Sequence, residues 1–242
     1  MLHNEPAVPG DEEMTWQSAE GMNEYLGPTN LCDCDHAGLH QRAREIVEGA
    51  ESDKEKSLKI FYFVRDEIPY GMDYPSAKAS RTLRKGIGYC YNKTNLQIAL
   101  LRSVDIPARC HYVLQSIELL QPIIPRLIYE RMPKVAGHPW CECYLSGEWI
   151  ACETVLDEAL YQANLRKGLI TKEQIPTIDW DGQTDLVPVK PWIAEDVGIF
   201  PSLDDMLREV GKRGETAPPS NKLFAWLIFF LTNLRINKVR TG

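Results

Sequence analysis

The sequence has little of what marks a nucleic-acid-binding or membrane-spanning protein. Basic residues are outnumbered, 27 Lys and Arg against 34 Asp and Glu, and the formal net charge of −7 repels phosphate backbones rather than attracting them. Nucleic acid is therefore not an expected partner. The longest apolar run, 223–231, falls well short of the ~20 residues that a helix needs to cross a bilayer, so no transmembrane span is expected. The first ten residues are polar with two prolines and lack the basic segment and apolar core of a secretory leader. Seven cysteines, an odd number, do not suggest a disulfide framework, and a cytoplasmic protein with reduced thiols is the expectation. No repeat period or low-complexity block interrupts the chain.

What is present is ordinary globular composition, 44% hydrophobic and 25% charged over 242 residues, enough for one large domain with a small appendage. The Glu-, Pro- and Gly-rich residues 1–24 read as a flexible lead-in, residues 25–182 as the core, and residues 183–242 as a C-terminal extension. Asp35 is placed to cap a helix whose Leu39, Ala43, Ile46, Val47 and Ala50 share a face. Ser52-Asp53-Lys54-Glu55 forms a capping box for a second helix that stops before Pro69. Arg109 to Leu114 alternates like a strand, and Ser146-Gly147-Glu148 reads as the turn of a β-hairpin formed by 138–145 and 149–152. A helix is expected from Thr154 or Asp157 to about Arg166. A short helix is expected over 202–210, a linker over 215–220, and a terminal helix over 221–238.

The chemistry gathers around Cys90. Gly86-Ile87-Gly88-Tyr89 forms a turn that runs directly into an apolar-periodic segment, 92–104, so Cys90 stands at a helix start. A helix N-terminus presents free N–H groups and partial positive charge, which favour a thiolate. Such a nucleophile needs a base, and the base needs a third group to hold its ring. His138 opens one strand of the expected hairpin and Glu153 closes the other, which puts both at one end of the ribbon. Asp157, four residues on, is the alternative acid, with simple helix capping as its other explanation.

Gly-Ile-Gly-Tyr-Cys before a helix, Leu-Leu-Arg-Ser-Val-Asp-Ile-Pro-Ala-Arg after it, then His-Pro-Trp-Cys-Glu and Glu-Trp-Ile-Ala-Cys-Glu together resemble the transglutaminase-like superfamily. The stand-alone microbial members are the nearest in kind, and the resemblance runs from about Tyr25 to Tyr161 with a fainter echo to Gly182. It implies an α+β fold with a papain/transglutaminase-like core, in which the Cys-bearing helix packs on an antiparallel β-sheet, with N-terminal helices and a C-terminal helical extension. On this resemblance Cys90, His138 and Glu153 occupy the catalytic triad positions. Glu153 stands where Asp is usual, and Asp105 stands where Gly usually precedes Ile-Pro-Ala-Arg; Asp tolerates the left-handed backbone region. Nothing resembles the flanking β-domains or calcium loops of the animal cross-linking enzymes, and cross-linking of that kind is not expected.

The expected function is a cysteine-dependent acyltransferase or hydrolase acting on an amide or thioester of a small molecule, a peptide or a carrier-bound acyl group. The alternatives are a binding module that has lost catalysis and a Cys-His acid/base enzyme of small-molecule biosynthesis. Tyr89, Tyr91 and Trp140 are the candidate substrate-binding aromatics, Trp140 because it follows His138 on the same strand face, with core packing as its alternative. The Pro-broken stretch 119–132 is read as a lid, a substrate wall or a short packed helix. No cofactor and no metal are expected: Cys32, Cys34, His36 and His40 have the wrong spacing for zinc, and Cys110, Cys141, Cys143 and Cys152 read as core thiols. The apolar run 223–231 needs a cover, either the protein's own core or a second subunit in a homodimer, with peripheral membrane contact as the alternative.

Overall fold

The computed structural model describes residues 21–212 and 222–241, and its centre is helix α4, Cys90–Arg102, of which every residue is buried. Three N-terminal helices surround it: α1 (Ala37–Val47), α2 (Asp53–Tyr62) and α3 (Ala79–Lys85). After α4 the chain enters β1 (Ala108–Ser116), passes a short helix α5 (Arg126–Tyr129), and continues into β2 (Val135–Leu145) and β3 (Glu148–Ala151). The remainder is α6 (Glu158–Arg166), β4 (Ile193–Phe200), α7 (Leu203–Lys212) and α8 (Lys222–Thr241). The four strands form one antiparallel sheet in the order β3-β2-β1-β4. This is the α+β architecture expected, with the Cys-bearing helix on the sheet.

Local chemistry accounts for the elements that fix α4. Gly86 ends α3 in the left-handed region, φ 67°, where a side chain would be strained, and returns the chain toward α4. Asp105 takes φ 62° at the turn between α4 and β1, the role its side chain was expected to tolerate. Ser146 and Gly147, φ 53° and 93°, make the two-residue turn that pairs β2 with β3. Because α4 is enclosed on all sides, its polar groups need internal partners. Asn95 donates to the Leu31 carbonyl at 2.8 Å and Lys93 to that of Arg65 at 3.0 Å, while Arg102 reaches the Gly27, Ala108 and Pro201 carbonyls. Cys110, Cys141 and Cys143 lie in the core beneath it, as expected for core thiols.

Several boundaries differ from the expectation. His36, not Asp35, caps α1: the helix begins at Ala37, and the His36 ring nitrogen Nδ1 accepts from the Gly38 N–H at 3.1 Å. The second helix does stop before Pro69 as expected, its end relaxed into a π turn, Phe63–Glu67. Strand β4 has no counterpart in the sequence reading. Residues 1–20 of the lead-in and the linker 215–220 lie outside the described residues. Among the described residues no helix is long and apolar enough to cross a membrane.

Candidate active site

Cys90 is the first residue of α4, preceded by Tyr89 in extended conformation, φ −102° and ψ −170°. The Tyr89 N–H is held by the Asn92 side-chain oxygen at 3.4 Å, which leaves the Cys90 N–H pointing out of the first turn without an intrahelical acceptor. The backbone before it is braced by Pro69–Gly71: the Gly71 N–H donates to the Gly88 carbonyl at 3.1 Å and the Gly88 N–H to that of Pro69 at 3.3 Å. Cys90 is 7% exposed.

His138 on β2 and Glu153, two residues past β3, meet at the same end of the ribbon, with His138 Nε2 3.0 Å from Glu153 Oε1. Both are 2% exposed. The other Glu153 oxygen accepts from the Val189 N–H at 3.4 Å, and its own N–H donates to the Leu186 carbonyl at 3.1 Å. With Nε2 committed to Glu153, Nδ1 is the ring nitrogen left to face Cys90. Burial works to lower the His138 pKa. The Glu153 charge and hydrogen bonds with Cys90 and Glu153 outweigh it, and His138 is pushed up to about 10 from an ordinary 6.5. At neutral pH the ring is thus an imidazolium beside the thiol, the arrangement that favours a thiolate. Gly137 makes the approach possible: a Cβ there would collide with the hydroxyls of Tyr91 and Tyr112.

Two polar residues of α4 that the sequence reading passed over hold the parts in register. Thr94 Oγ1 donates to the Pro139 carbonyl at 3.0 Å, next to His138. Gln97 brackets Glu153, donating to the Cys152 carbonyl at 2.9 Å and accepting from Thr154 Oγ1 at 2.9 Å. Cys90, Thr94 and Gln97 are spaced i, i+4 and i+7, so they share one helix face. That shared face was the available signal, blurred by the other polar residues of the helix, Asn92, Lys93, Asn95 and Arg102. The other candidate acid, Asp157, faces elsewhere: it caps α6 by accepting from the Leu160 N–H at 2.9 Å, accepts from the Tyr70 N–H at 2.8 Å, and pairs with Arg240 of α8 at 2.7 Å.

A cavity of about 310 Å³ opens on Cys90 and His138. Tyr89 and Tyr91 line it, and Trp140 does not. The Trp140 ring stacks on His111 at a centroid distance of 4.3 Å, stands 6.3 Å from His138, and packs with Val113 and Ala151 in a separate apolar cluster. The Pro-broken segment supplies wall residues Leu119, Leu120, Ile123, Ile124 and Met132. Among the described residues no group of three or more His, Cys, Asp or Glu side chains could hold a metal ion.

Residues 40–154 match the model of the transglutaminase-like superfamily. The chain carries a transglutaminase-like domain. The match encloses Cys90, His138 and Glu153 and ends one residue past the last of them. The fold is shared with a candidate cysteine protease from Cytophaga hutchinsonii, at 20% sequence identity and a TM-score of 0.51, over 76% of this chain and 48% of that one. This chain therefore spans about half the length of that protein. A candidate protease from Parabacteroides distasonis is more distant, with 11% identity and a TM-score of 0.35 over 50% of this chain and 25% of that one. No curated protein matches the chain.

Proposed function

We propose that the protein is a cysteine-dependent acyl-transfer enzyme acting on an amide or thioester. The reading is carried by one juxtaposition: a cysteine at a helix start, a histidine that is hydrogen-bonded to a buried glutamate and interacts with the cysteine, and a cavity lined by both Cys90 and His138. The transglutaminase-like domain supports a cysteine-based enzyme in general.

In this mechanism the Cys90 thiolate attacks the substrate carbonyl, forming a C–S bond and a tetrahedral oxyanion, to which the Cys90 N–H at the helix start can donate. The oxyanion collapses as the C–N or C–S bond to the leaving group breaks, and the His138 imidazolium delivers its proton to the departing amine or thiol. His138, now neutral, takes a proton from the second nucleophile as it attacks the thioester, which frees Cys90. Water at that step makes the enzyme a hydrolase and an amine makes it an amide-forming transferase. Glu153 holds the ring and stabilises its positive charge.

Intact-protein mass spectrometry after incubation with acyl thioesters tests the reading. An adduct with the mass of the acyl group is expected on the wild-type protein and absent from Cys90→Ala, whose circular dichroism should be unchanged. An equal adduct on both proteins, or none on either across a broad thioester panel, would discard it.

A further inference from the structure

The cavity has two contrasting parts. Cys90 and His138 line it together with Tyr70, Tyr89 and Tyr91; most of the remaining lining is hydrocarbon, including Leu120, Ile124, Met132, Leu160 and Phe229, around a volume of about 310 Å³. No Asp, Glu, Lys or Arg is among its lining residues, so a charged group lodged away from the His138 end would lose its water without gaining a counter-ion. Two amide side chains interrupt the hydrocarbon: Gln115 of β1, 3% exposed, and Asn164 of α6, 5% exposed. Gln115 Oε1 and Asn164 Oδ1 are buried and meet no donor among the described residues. Acceptor oxygens without partners repel a carboxylate and accept an N–H or O–H. The volume is about twice the ~150 Å³ of an apolar cavity that admits benzene. Leu160 and Asn164 of α6 and Phe229 of α8 lie beyond the stretch that matches the transglutaminase-like superfamily.

Resting on the acyl-enzyme reading above, we infer that the acyl donor is neutral and apolar, a medium-length aliphatic or aryl-alkyl acyl group with at most an N–H or O–H donor along it. A charged amino acid, a dicarboxylate or a phosphorylated acyl group is not the substrate.

The test has two arms, one of which needs no catalysis. In the first, straight-chain alkanamides from butanamide to decanamide are titrated calorimetrically into Cys90→Ser protein. Affinity should rise about three- to fourfold per methylene until the cavity fills. Analogues ending in a carboxylate or an ammonium should bind at least tenfold more weakly than the neutral chain of equal length. Leu120→Asp, at a partly buried wall position, should flatten the dependence on chain length, and Leu120→Met should retain it. In the second arm, wild-type protein is given the matching acyl N-acetylcysteamine thioesters and the Cys90 adduct is timed by mass. Rates that follow the same order as the affinities support the inference. Alkanamide affinities that do not change with length, or equal binding of charged chains, overturn it even where adducts form. Adducts absent throughout, with length-dependent binding intact, overturn the acyl-enzyme reading and leave an apolar binding site.

Discussion

Glu153 and Asp157 stand four residues apart beyond the same hairpin, and both are buried, at 2% and 3% exposure, yet their surroundings give them different work. Glu153 turns one oxygen to a titratable ring and the other to a backbone N–H. Asp157 spends both of its oxygens on fixed donors: the Leu160 N–H, the Tyr70 N–H and the Arg240 guanidinium. Burial disfavours the charged form of Asp157, but the Arg240 and Tyr70 hydrogen bonds outweigh it and hold the carboxyl below its ordinary range. One acid is placed to help a ring hold a proton, and the other ties α8 and the Tyr70 segment to the start of α6. Proximity in sequence says little about role; what each carboxylate faces says much.

The comparison breaks most sharply in paired substitutions. Glu153→Gln is expected to cut kcat on the order of 10³-fold, in line with loss of the ring-orienting acid in a triad, while KM changes little. Asp157→Asn should do the reverse: it leaves the Arg240 guanidinium without its charge partner, lowers stability by about 2–4 kcal/mol, and keeps kcat within tenfold at a temperature where the protein is folded. Steady-state kinetics beside thermal unfolding separates the two. If Asp157→Asn is the variant with the collapsed kcat, the assignment is reversed.

A pH profile sharpens the same contrast. His138 is pushed up to about 10 in the fold against an ordinary 6.5, so it keeps its proton where the unfolded chain has lost it. Its contribution to stability is full below about pH 6.5, declines as pH rises through that window, and is gone above about 10. Turnover should fall on the same alkaline limb as the imidazolium disappears, and Glu153→Gln should move that limb to lower pH. Asp157 has the opposite sign: its contribution is present above the ordinary carboxylate range and is lost as acid protonates it. Acid unfolding should therefore lose part of its pH dependence in Asp157→Asn, while the alkaline limb stays in place.

The smallest effects belong to α4. Thr94→Val and Gln97→Leu each remove a hydrogen bond that registers the helix against a member of the site, and each should lower stability by about 1–2 kcal/mol. A several-fold drop in kcat with little change in KM should accompany this. A kcat left at the wild-type value in both variants would reduce these bonds to packing.

How much was legible in the sequence follows from the range of the signals. The glycine turn before Cys90, the capping box at Ser52 and the Ser146-Gly147 hairpin are short-range devices written in consecutive residues; the structure has the turn and the hairpin, while at Ser52 the side chain caps the Glu55 N–H but the Glu55 carboxylate takes the Glu51 N–H instead of closing the box. The meeting of His138 with Glu153 followed from that hairpin alone. Strand β4 was illegible because its pairing to β1 shifts register twice, between Tyr112 and Val113 and between Leu114 and Gln115, so no period of two survives. Helix α8 blurred its own pattern because it is apolar on two sides. Ala225 and Ile236 pack inward, while Trp226, Leu227, Phe230 and Leu234 are exposed. The cavity wall outside the Pro-broken stretch was beyond reading, since Gln115, Asn164 and Phe229 come from β1, α6 and α8 and are brought together only by the tertiary fold.

The most direct measurement is competitive alkylation of the seven cysteines at neutral pH with limiting iodoacetamide, each site followed by peptide mass spectrometry. All seven thiols are buried, but Cys90 lines the cavity beside an imidazolium, so it should be modified first, and His138→Ala should remove its lead. A Cys90 that reacts no faster than Cys34, or that keeps its lead without His138, would contradict the activation of this thiol by that ring.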